Sequence, residues 1–227
     1  MDLTVVIPVF NEARTLSTIL ERVQATGLAS EIIFVDDGST DGTRLLLADL
    51  NNKPGVRVIL HEKNRGKGAA VRTGLSAARG EVILIQDADL EYDPRDYAAL
   101  LKPIEEGQAD VVYGSRFLGG PRRVTMFWHM LANQLLTLTT NLLYNTILSD
   151  METGYKVFKR EALQGITLRG NRFNFEPEIT AKLLRRKARI YEVPICFNPR
   201  SYAEGKKIRM GDAFEALWAL IKYRFVD

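Results

Sequence analysis

The chain of 227 residues has 46% hydrophobic and 26% charged side chains, a balance that supports a large apolar core and excludes disordered, collagen-like and coiled-coil proteins. Its single cysteine, Cys196, excludes an intramolecular disulfide framework and a cysteine-rich zinc site, and no secretory signal is recognisable, so we expect a cytoplasmic protein. The net charge is only +3, but basic residues outnumber acidic ones beyond residue 154, which favours anionic ligands there.

Short β-branched apolar runs recur through the first half of the chain. They occupy residues 3–9, 32–35, 56–60, 82–85 and 111–113, and we expect helices between them at 12–24, 41–50, 68–78 and 94–105. Near-continuous apolar strands separated by helices are typical of a mostly parallel sheet covered on both faces. Beyond residue 120 we expect strands at 155–159 and 189–195 and helices at 177–186 and 212–223, all within one α/β domain over residues 1–227.

The segment 124–149 contains no Asp, Glu, Lys or Arg, which raises the question of a membrane helix. It is nevertheless amphipathic, because polar residues fall on one helical face and large apolar residues recur at spacings of three and four on another. The polar set is Asn133, Gln134, Thr137, Thr140, Asn141 and Asn145, and the apolar set is Trp128, Leu131, Leu135, Leu138 and Leu142. The pattern leaves open a core-packing helix, a helix in the lipid headgroup layer beside Arg122 and Arg123, and a membrane span.

Each conspicuous polar cluster of the first half directly follows a predicted strand. The clusters are Asn11-Glu12, Asp36-Asp37-Gly38-Ser39, Asp87-Ala88-Asp89 and Gly114-Ser115-Arg116. Open α/β sheets bind ligands outside the carboxyl ends of their strands. We therefore expect these clusters to converge on one crevice.

The acidic residues Asp87, Asp89 and Glu91 alternate with Ala88 and Leu90. In an extended segment, the three carboxylates would project in the same direction and could bind one hard cation. Oxygen ligands of this kind suit Mg²⁺ or Mn²⁺, which retains coordination positions for water and for a substrate's phosphates. The alternative is a solvated turn that caps the next helix.

A glycine-rich basic turn, Asn64-Arg65-Gly66-Lys67-Gly68, precedes the third predicted helix. It lacks the upstream glycine and the following Ser or Thr of a Walker A loop, and Val71 stands where a dinucleotide-binding motif needs its third glycine. Backbone N–H groups at a helix start, together with Lys67, would suit an anion. The alternative is a flexible loop.

Five ordered motifs in the first 120 residues together carry a family resemblance. They are Ile7-Pro8-Val9-Phe10-Asn11-Glu12, Asp36-Asp37-Gly38-Ser39 with Asp41-Gly42-Thr43, Arg65-Gly66-Lys67-Gly68-Ala69, Asp87-Ala88-Asp89-Leu90 and Gly114-Ser115-Arg116. The chain resembles family 2 glycosyltransferases of the GT-A fold, and within them the dolichol-phosphate mannosyltransferase, or polyprenyl-phosphate glycosyltransferase, branch. The resemblance continues through residues 150–156 and Val193-Pro194. It implies a Rossmann-like, mixed but mostly parallel sheet, with a nucleotide-sugar half at 1–120 and an acceptor half at 121–227.

The resemblance also implies a role for each matched position in the first half. The base and ribose of the nucleotide would be held by Pro8, Phe10, Glu12, Val35 and Asp37. The metal and the diphosphate would be held by Asp87, Asp89 and Glu91. This branch usually has Gln at the position of Glu91, and the added carboxylate should tighten cation binding.

Basic residues complete the implied site. Arg116 would lie near the transferred sugar and the acceptor phosphate. A basic loop at 200–209, which contains Arg200, Lys206 and Lys207, resembles the mobile loop that closes over the donor diphosphate. The alternative for that loop is a solvated run of charge.

These features predict an enzyme that moves a hexose from a GDP- or UDP-linked sugar to a polyprenyl phosphate. The cation and the basic loop would offset the charge that develops on the leaving diphosphate. Because a phosphate acceptor needs no general base and no protein nucleophile is evident, we expect inversion at the anomeric carbon. The apolar segment 124–149 would hold the enzyme peripherally on the inner face of a membrane.

Other functions remain open from the sequence. A hydroxyl acceptor would need a general base, for which Asp150 or Glu152 is the candidate, although either could instead cap a helix or form a salt bridge. A sugar nucleotidyltransferase would use a similar fold and metal. Nucleic-acid binding is not expected, because the basic residues are not interleaved with a platform of aromatics. The donor base and the oligomeric state are left undetermined.

Overall fold

The computed structural model describes residues 1–124, 127–200 and 210–226. The strands are β1 Leu3–Val9, β2 Ala29–Asp36, β3 Val56–Leu60, β4 Val82–Ile85, β5 Val111–Ser115, β6 Lys156–Lys159 and β7 Ile190–Pro194. The helices are α1 Leu16–Ala25, α2 Thr43–Leu50, α3 Lys67–Ala77, α4 Tyr97–Glu105, α5 Phe127–Tyr144, α6 Phe175–Arg185 and α7 Met210–Phe225. Each predicted strand and helix is present, with ends that differ by a few residues.

The described residues form one seven-stranded sheet in the order β3-β2-β1-β4-β6-β5-β7. β1 pairs in parallel with β2 and β4, β2 with β3, and β5 with β7. β6 is antiparallel to both of its neighbours, β4 and β5, so the other strands share one direction. The sheet is therefore mixed but mostly parallel, as predicted. The carboxyl ends of β1, β2, β4 and β5 open on one edge, and β6 begins at that edge.

Alternate side chains of the buried strands pack against helices on opposite faces of the sheet. Val5 and Ile7 of β1 pack with residues of α1, α2 and α4, whereas Val6 packs on the other face with Ala70 of α3. A further cluster joins α3 to α5, α6 and α7. Both faces are covered, which explains why the strands are almost continuously apolar.

Helix α1 begins at Leu16 and not at the predicted residue 12, because the chain first makes a turn after β1. Asn11 takes a φ of 55°. Its amide donates to Ser39 Oγ at 2.9 Å, and the Glu12 amide donates to Thr43 Oγ1 at 3.0 Å. These bonds fasten the turn to the loop after β2, so contacts distant in sequence override the local helical pattern.

Helix α5 presents its polar face to the core and its apolar face outward. Thr137 and Thr140 of the polar face are buried. The exposed fractions of the apolar set are 69% for Trp128, 44% for Leu131, 61% for Leu135, 54% for Leu138 and 75% for Leu142. The helix therefore packs in the core, as one of the predicted alternatives has it, but through its polar face and Leu136, while the apolar set lies outward. In the part of the chain that the structure describes, no helix combines the length and the apolar character needed to cross a membrane.

Candidate active site

Side chains that follow β1 and β4 meet at the carboxyl edge of the sheet. Arg200 joins them, since its Nη2 donates to Glu12 Oε2 at 2.9 Å and its Nε donates to the Asp89 carbonyl oxygen at 2.7 Å. The Arg200 amide also donates to Glu91 Oε1 at 2.7 Å. The predicted convergence is therefore observed for the clusters that follow β1 and β4. Lys206 and Lys207, with most of the predicted basic loop, lie outside the described residues.

Asp37, which follows β2, holds the glycine-rich turn at the start of α3. Its carboxylate accepts from the amides of Arg65 at 2.9 Å and Gly66 at 2.7 Å. His61 Nδ1 lies 2.8 Å from Asp37 Oδ1. Sequence analysis predicts nucleotide contact for Asp37 and does not indicate this role in positioning the turn.

The other predicted nucleotide-binding residues differ in accessibility. Pro8 and Phe10 are partly buried at the end of β1 and beyond it. Val35 is fully buried and packs with Val6 and Ile33 in the core. Its side chain therefore does not reach the surface of the crevice.

The glycine-rich turn packs closely against the segment before α6. A Cβ on Gly66, whose φ is 97°, would lie 2.3 Å from the Asn171 carbonyl oxygen, so glycine is required there. The turn places Lys67 Nζ 2.8 Å from Asp87 Oδ1 and 3.4 Å from Glu176 Oε1. Burial disfavours the charged ammonium, but these two carboxylates raise the pKa of Lys67 above its usual value. Lys67 therefore remains a cation that links Asp87 to α6.

The acidic loop, residues 87–91, is a turn and not the extended segment on which the metal prediction was based. Ala88 and Asp89 lie in a turn and Leu90 takes a φ of 65°, so the sequence alternation does not set the direction of the carboxylates. Asp87 pairs with Lys67, whereas Glu91 accepts from Arg200. Within the described ranges, no three His, Cys, Asp or Glu side chains are grouped so that they could hold a metal ion. The extended geometry is wrong, and the metal site stays a prediction.

The electrostatics of the acidic loop nevertheless suit a divalent cation. Burial, together with the neighbouring carboxylates of Asp87 and Glu91, raises the pKa of Asp89 to about 7. Burial and the like charge of neighbouring carboxylates both disfavour the ionised form, which a bound cation would stabilise. Crowded oxygen donors are the ligands that Mg²⁺ and Mn²⁺ take, so Asp89 with Asp87 or Glu91 fits such an ion.

Arg116, which follows β5, forms a bidentate ion pair with Asp150. Its Nε and Nη2 donate to Asp150 Oδ2 and Oδ1, each at 2.6 Å, and its amide donates to Oδ2 at 3.0 Å. Asn133 of α5 donates to Asp150 Oδ1 at 3.1 Å. Because both oxygens of the fully buried Asp150 are occupied, this carboxylate orients Arg116 and is poorly placed to serve as a general base.

Aromatic side chains connect Arg116 with the acidic loop. The Arg116 guanidinium lies 5.2 Å from the centre of the Phe197 ring, and the rings of Phe197 and Tyr92 are 5.5 Å apart. Tyr92 stacks on Tyr155 at 4.7 Å, and its hydroxyl accepts from the Gly154 amide at 3.0 Å. Sequence reasoning missed these aromatics, because single aromatic residues carry no spacing signal.

Lys156 holds the loop that carries Asp150 and Glu152. Its Nζ, fully buried at the start of β6, donates to the carbonyl oxygens of Met151 at 2.9 Å and Thr153 at 2.5 Å. Burial lowers the pKa of Lys156 to about 8, although the carboxylates of Glu176 and Glu152 oppose that shift. The loop is therefore anchored from inside the sheet.

Glu152 and Glu176 each have a buried oxygen without a hydrogen-bond partner among the described residues, Glu152 Oε1 and Glu176 Oε2. Burial, followed by the charge of Glu176, raises the pKa of Glu152 to about 8. Glu176 lies in the first turn of α6 and was missed by sequence reasoning, because acidic residues are common at helix starts.

Comparisons with known proteins agree with the fold. The sequence matches the family described as glycosyl transferase family 2 over residues 4–167. Dolichol-phosphate mannosyltransferase of Pyrococcus furiosus is 30% identical over 211 residues, which cover 91% of this chain and 59% of that protein. Dodecaprenyl-phosphate galacturonate synthase of Rhizobium johnstonii is 26% identical over 212 residues, which cover 91% and 62%. The chain thus spans about three fifths of the length of these relatives.

Solved structures share the same fold. Glucosyl-3-phosphoglycerate synthase of Mycobacterium tuberculosis superposes with a TM-score of 0.78 at 20% identity, covering 100% of this chain and 81% of that one. That enzyme has also been crystallised with Mn²⁺ and uridine diphosphate. The likeness confirms the predicted fold class.

Proposed function

The chain belongs to glycosyl transferase family 2, and on that premise we propose that it transfers a hexose from a nucleoside-diphosphate sugar to a polyprenyl phosphate at a membrane surface. The observation that carries the proposal is the junction between α5 and Arg116. Asn133 of α5 binds Asp150, which orients Arg116, while the other face of α5 exposes its leucines. One helix therefore ties an anion-binding side chain to an outward apolar surface.

On the donor side, the acidic loop is the proposed metal and diphosphate site. Asp89, with Asp87 or Glu91, would hold Mg²⁺ or Mn²⁺, and such an ion offsets negative charge on a diphosphate. The Mn²⁺ and uridine diphosphate bound by the Mycobacterium tuberculosis enzyme support this assignment. Arg200, which already contacts Glu12 and the Asp89 backbone, adds a cation at the same place.

On the acceptor side, Arg116 is the proposed contact for the acceptor phosphate. A guanidinium binds phosphate oxygens through paired hydrogen bonds, and its orientation here is fixed by Asp150. An ionised phosphate oxygen is already a nucleophile, so transfer requires no general base and proceeds with inversion at the anomeric carbon.

The lipid portion of the acceptor would lie near the apolar face of α5. Arg122 and Arg123 precede the helix in the sequence, and their positive charge suits the negative charge of a cytoplasmic membrane surface. The names of the Pyrococcus furiosus and Rhizobium johnstonii relatives, which include dolichol phosphate and dodecaprenyl phosphate, support a lipid phosphate. A peripheral position on the inner face of the membrane follows from this proposal.

Glu152 favours a second candidate, transfer to a hydroxyl. Its Oε1 has no partner in the described part of the chain, and its pKa of about 8 would suit proton transfer near neutral pH. In that reaction Glu152 would take the proton of the attacking hydroxyl. Asp150 is occupied by Arg116 and Asn133 and does not compete for this role.

The decisive experiment offers labelled UDP- and GDP-hexoses with Mg²⁺ or Mn²⁺ and vesicles that contain dolichyl or undecaprenyl phosphate. We expect label in an organic-soluble product that mild acid releases, with an inverted anomeric centre by NMR. Asp89→Asn should reduce transfer at least 100-fold, because charge on the diphosphate would be poorly offset. Asp49→Asn, at an exposed position of α2, is the matched control and should retain activity.

Two outcomes would contradict the lipid acceptor. Label that enters only water-soluble products, with activity that depends on Glu152, would favour the hydroxyl acceptor. Release of pyrophosphate from a nucleoside triphosphate and a sugar phosphate would instead indicate a nucleotidyltransferase.

A further inference from the structure

Glu152 Oε1 and Glu176 Oε2 are the buried side-chain oxygens that lack a hydrogen-bond partner among the described residues. Glu176 is only 4% exposed, yet no donor among the described residues reaches its Oε2, and the same holds for Glu152 Oε1. Native proteins leave few buried acceptors without a donor, because the lost solvation is not recovered. A ligand that brings hydroxyl donors would satisfy both oxygens.

The position of Glu176 relates it to the proposed diphosphate site. Lys67 Nζ lies 2.8 Å from Asp87 and 3.4 Å from Glu176 Oε1. Glu176 Oε2, the unpartnered oxygen, belongs to the same carboxylate. One ammonium group therefore separates this carboxylate from the acidic loop.

The position of Glu152 relates it to the proposed acceptor contact. Glu152 lies in the same loop as Asp150, which pairs with Arg116. Lys156 holds that loop from inside, and the charges of Arg116 and Glu176 both act on Glu152. The two glutamates thus connect the leaving-group end of the site with the acceptor end. In a direct displacement, the transferred sugar must lie between those two ends.

We propose that Glu152 and Glu176 bind hydroxyl groups of the transferred sugar and select a neutral hexose over a uronic acid. The inference rests on the proposed function, because it requires a nucleotide-sugar donor. Carboxylate oxygens accept strong hydrogen bonds from sugar hydroxyls. The carboxylate of a uronic acid offers no hydrogen-bond donor when ionised, so it would leave these acceptor oxygens unsatisfied.

A proton shared between the two carboxyl groups is the competing explanation. It would satisfy both oxygens without a ligand and would make the pair purely structural. Binding measurements that compare nucleotides with and without the sugar distinguish the two cases.

The test measures the affinity of the full chain, with Mn²⁺ present, for UDP-glucose, UDP-glucuronic acid, UDP, GDP-mannose and GDP by calorimetry. We expect the wild type to bind a neutral hexose nucleotide more tightly than the matching nucleoside diphosphate and than UDP-glucuronic acid. In Glu176→Gln, the affinity for the hexose nucleotide should fall about tenfold or more, while the affinity for the nucleoside diphosphate alone is kept or rises. The ratio of the affinities for UDP-glucose and UDP-glucuronic acid should become smaller.

Two further variants guard this result. Glu176→Asp keeps the charge beside Lys67 but draws the carboxylate back, so it should also lose hexose affinity if direct contact matters. Glu161→Gln is the matched control, because the Glu161 side chain is 71% exposed and lies outside the site. Thermal unfolding of each variant verifies that the fold is retained.

The outcomes separate this inference from the proposed function. Equal losses for UDP and UDP-glucose in Glu176→Gln would overturn it, since Glu176 would then act through Lys67. Unchanged affinities in both Glu176 variants would also overturn it, because a proton shared between Glu152 and Glu176 would then satisfy the two oxygens. The proposed function would not be affected by that result. A wild type that binds none of these nucleotides would overturn the proposed function and this inference together.

Discussion

At the scale of single residues, Asp150 decides where the Arg116 guanidinium points. The pair is buried, with side-chain exposures of 15% for Arg116 and 0% for Asp150. Removing one partner of a buried pair leaves an uncompensated charge, so Asp150→Asn should lower the free energy of unfolding by about 3 kcal/mol. Asp110→Asn, which breaks the more exposed pair with Arg189, should cost about 1 kcal/mol or less. If denaturant unfolding showed that Asp150→Asn and Asp110→Asn lose the same free energy of unfolding, Asp150 would have no special role.

Glu152 gives stability a defined pH dependence. The folded state holds its proton up to about pH 8, whereas the ordinary pKa is 4.5. Between these values the folded chain binds more protons than the unfolded chain, so the contribution of Glu152 to stability is present at low pH and is lost as pH rises through this window. Glu152→Gln should therefore gain stability relative to wild type, by more than about 1 kcal/mol, between pH 5 and pH 8.

Thermal unfolding across this pH range measures the effect. Glu21→Gln, an exposed position on α1, is the control and should follow the wild-type profile. A difference between Glu152→Gln and wild type that stays constant with pH would show that Glu152 titrates as an ordinary exposed glutamate.

At the scale of the elements, α5 links the site to the proposed membrane surface. Leu135→Ser combined with Leu138→Ser should weaken binding to vesicles that contain anionic lipid by at least about tenfold, because each buried leucine contributes roughly 1.5–3 kcal/mol. Both side chains are more than half exposed, at 61% and 54%, so stability should change little. Leu45→Ser, whose side chain is also exposed, at 77% but on α2, should bind vesicles like the wild type. Equal vesicle binding by all three proteins would exclude α5 as the docking surface.

The elements also show how far sequence reasoning extends. Apolar runs located the five strands of the first half, because buried parallel strands need apolar residues on both faces. Strand order then placed Glu12, Asp89 and Arg116 at one edge. The outward face of α5 was not predictable, since amphipathicity identifies two faces without saying which one meets the core. The role of Glu176 was also not predictable, because its contact with Lys67 depends on how the segment before α6 packs against the turn at Gly66.

At the scale of the whole molecule, charged side chains from the two halves of the sequence pair with one another. Arg200 from the basic second half lies against Glu12 and the acidic loop of the first half. Lys67 and Arg116 are likewise matched by Glu176 and Asp150 from beyond residue 120. Opposite charges from distant parts of the sequence therefore meet in one site, and the modest net charge of +3 conceals them.

The pairing of β5 with β6 and β7 limits how parts of this fold could be exchanged between proteins. β5 precedes residue 120, yet both of its hydrogen-bonded neighbours, β6 and β7, come from the later part of the chain. A chimera that joined residues 1–120 of one protein to the remainder of another would have to recreate two interstrand ladders across the splice. Because both parts of the chain contribute strands to one sheet, exchanging either part should destabilise the fold more than altering a surface loop.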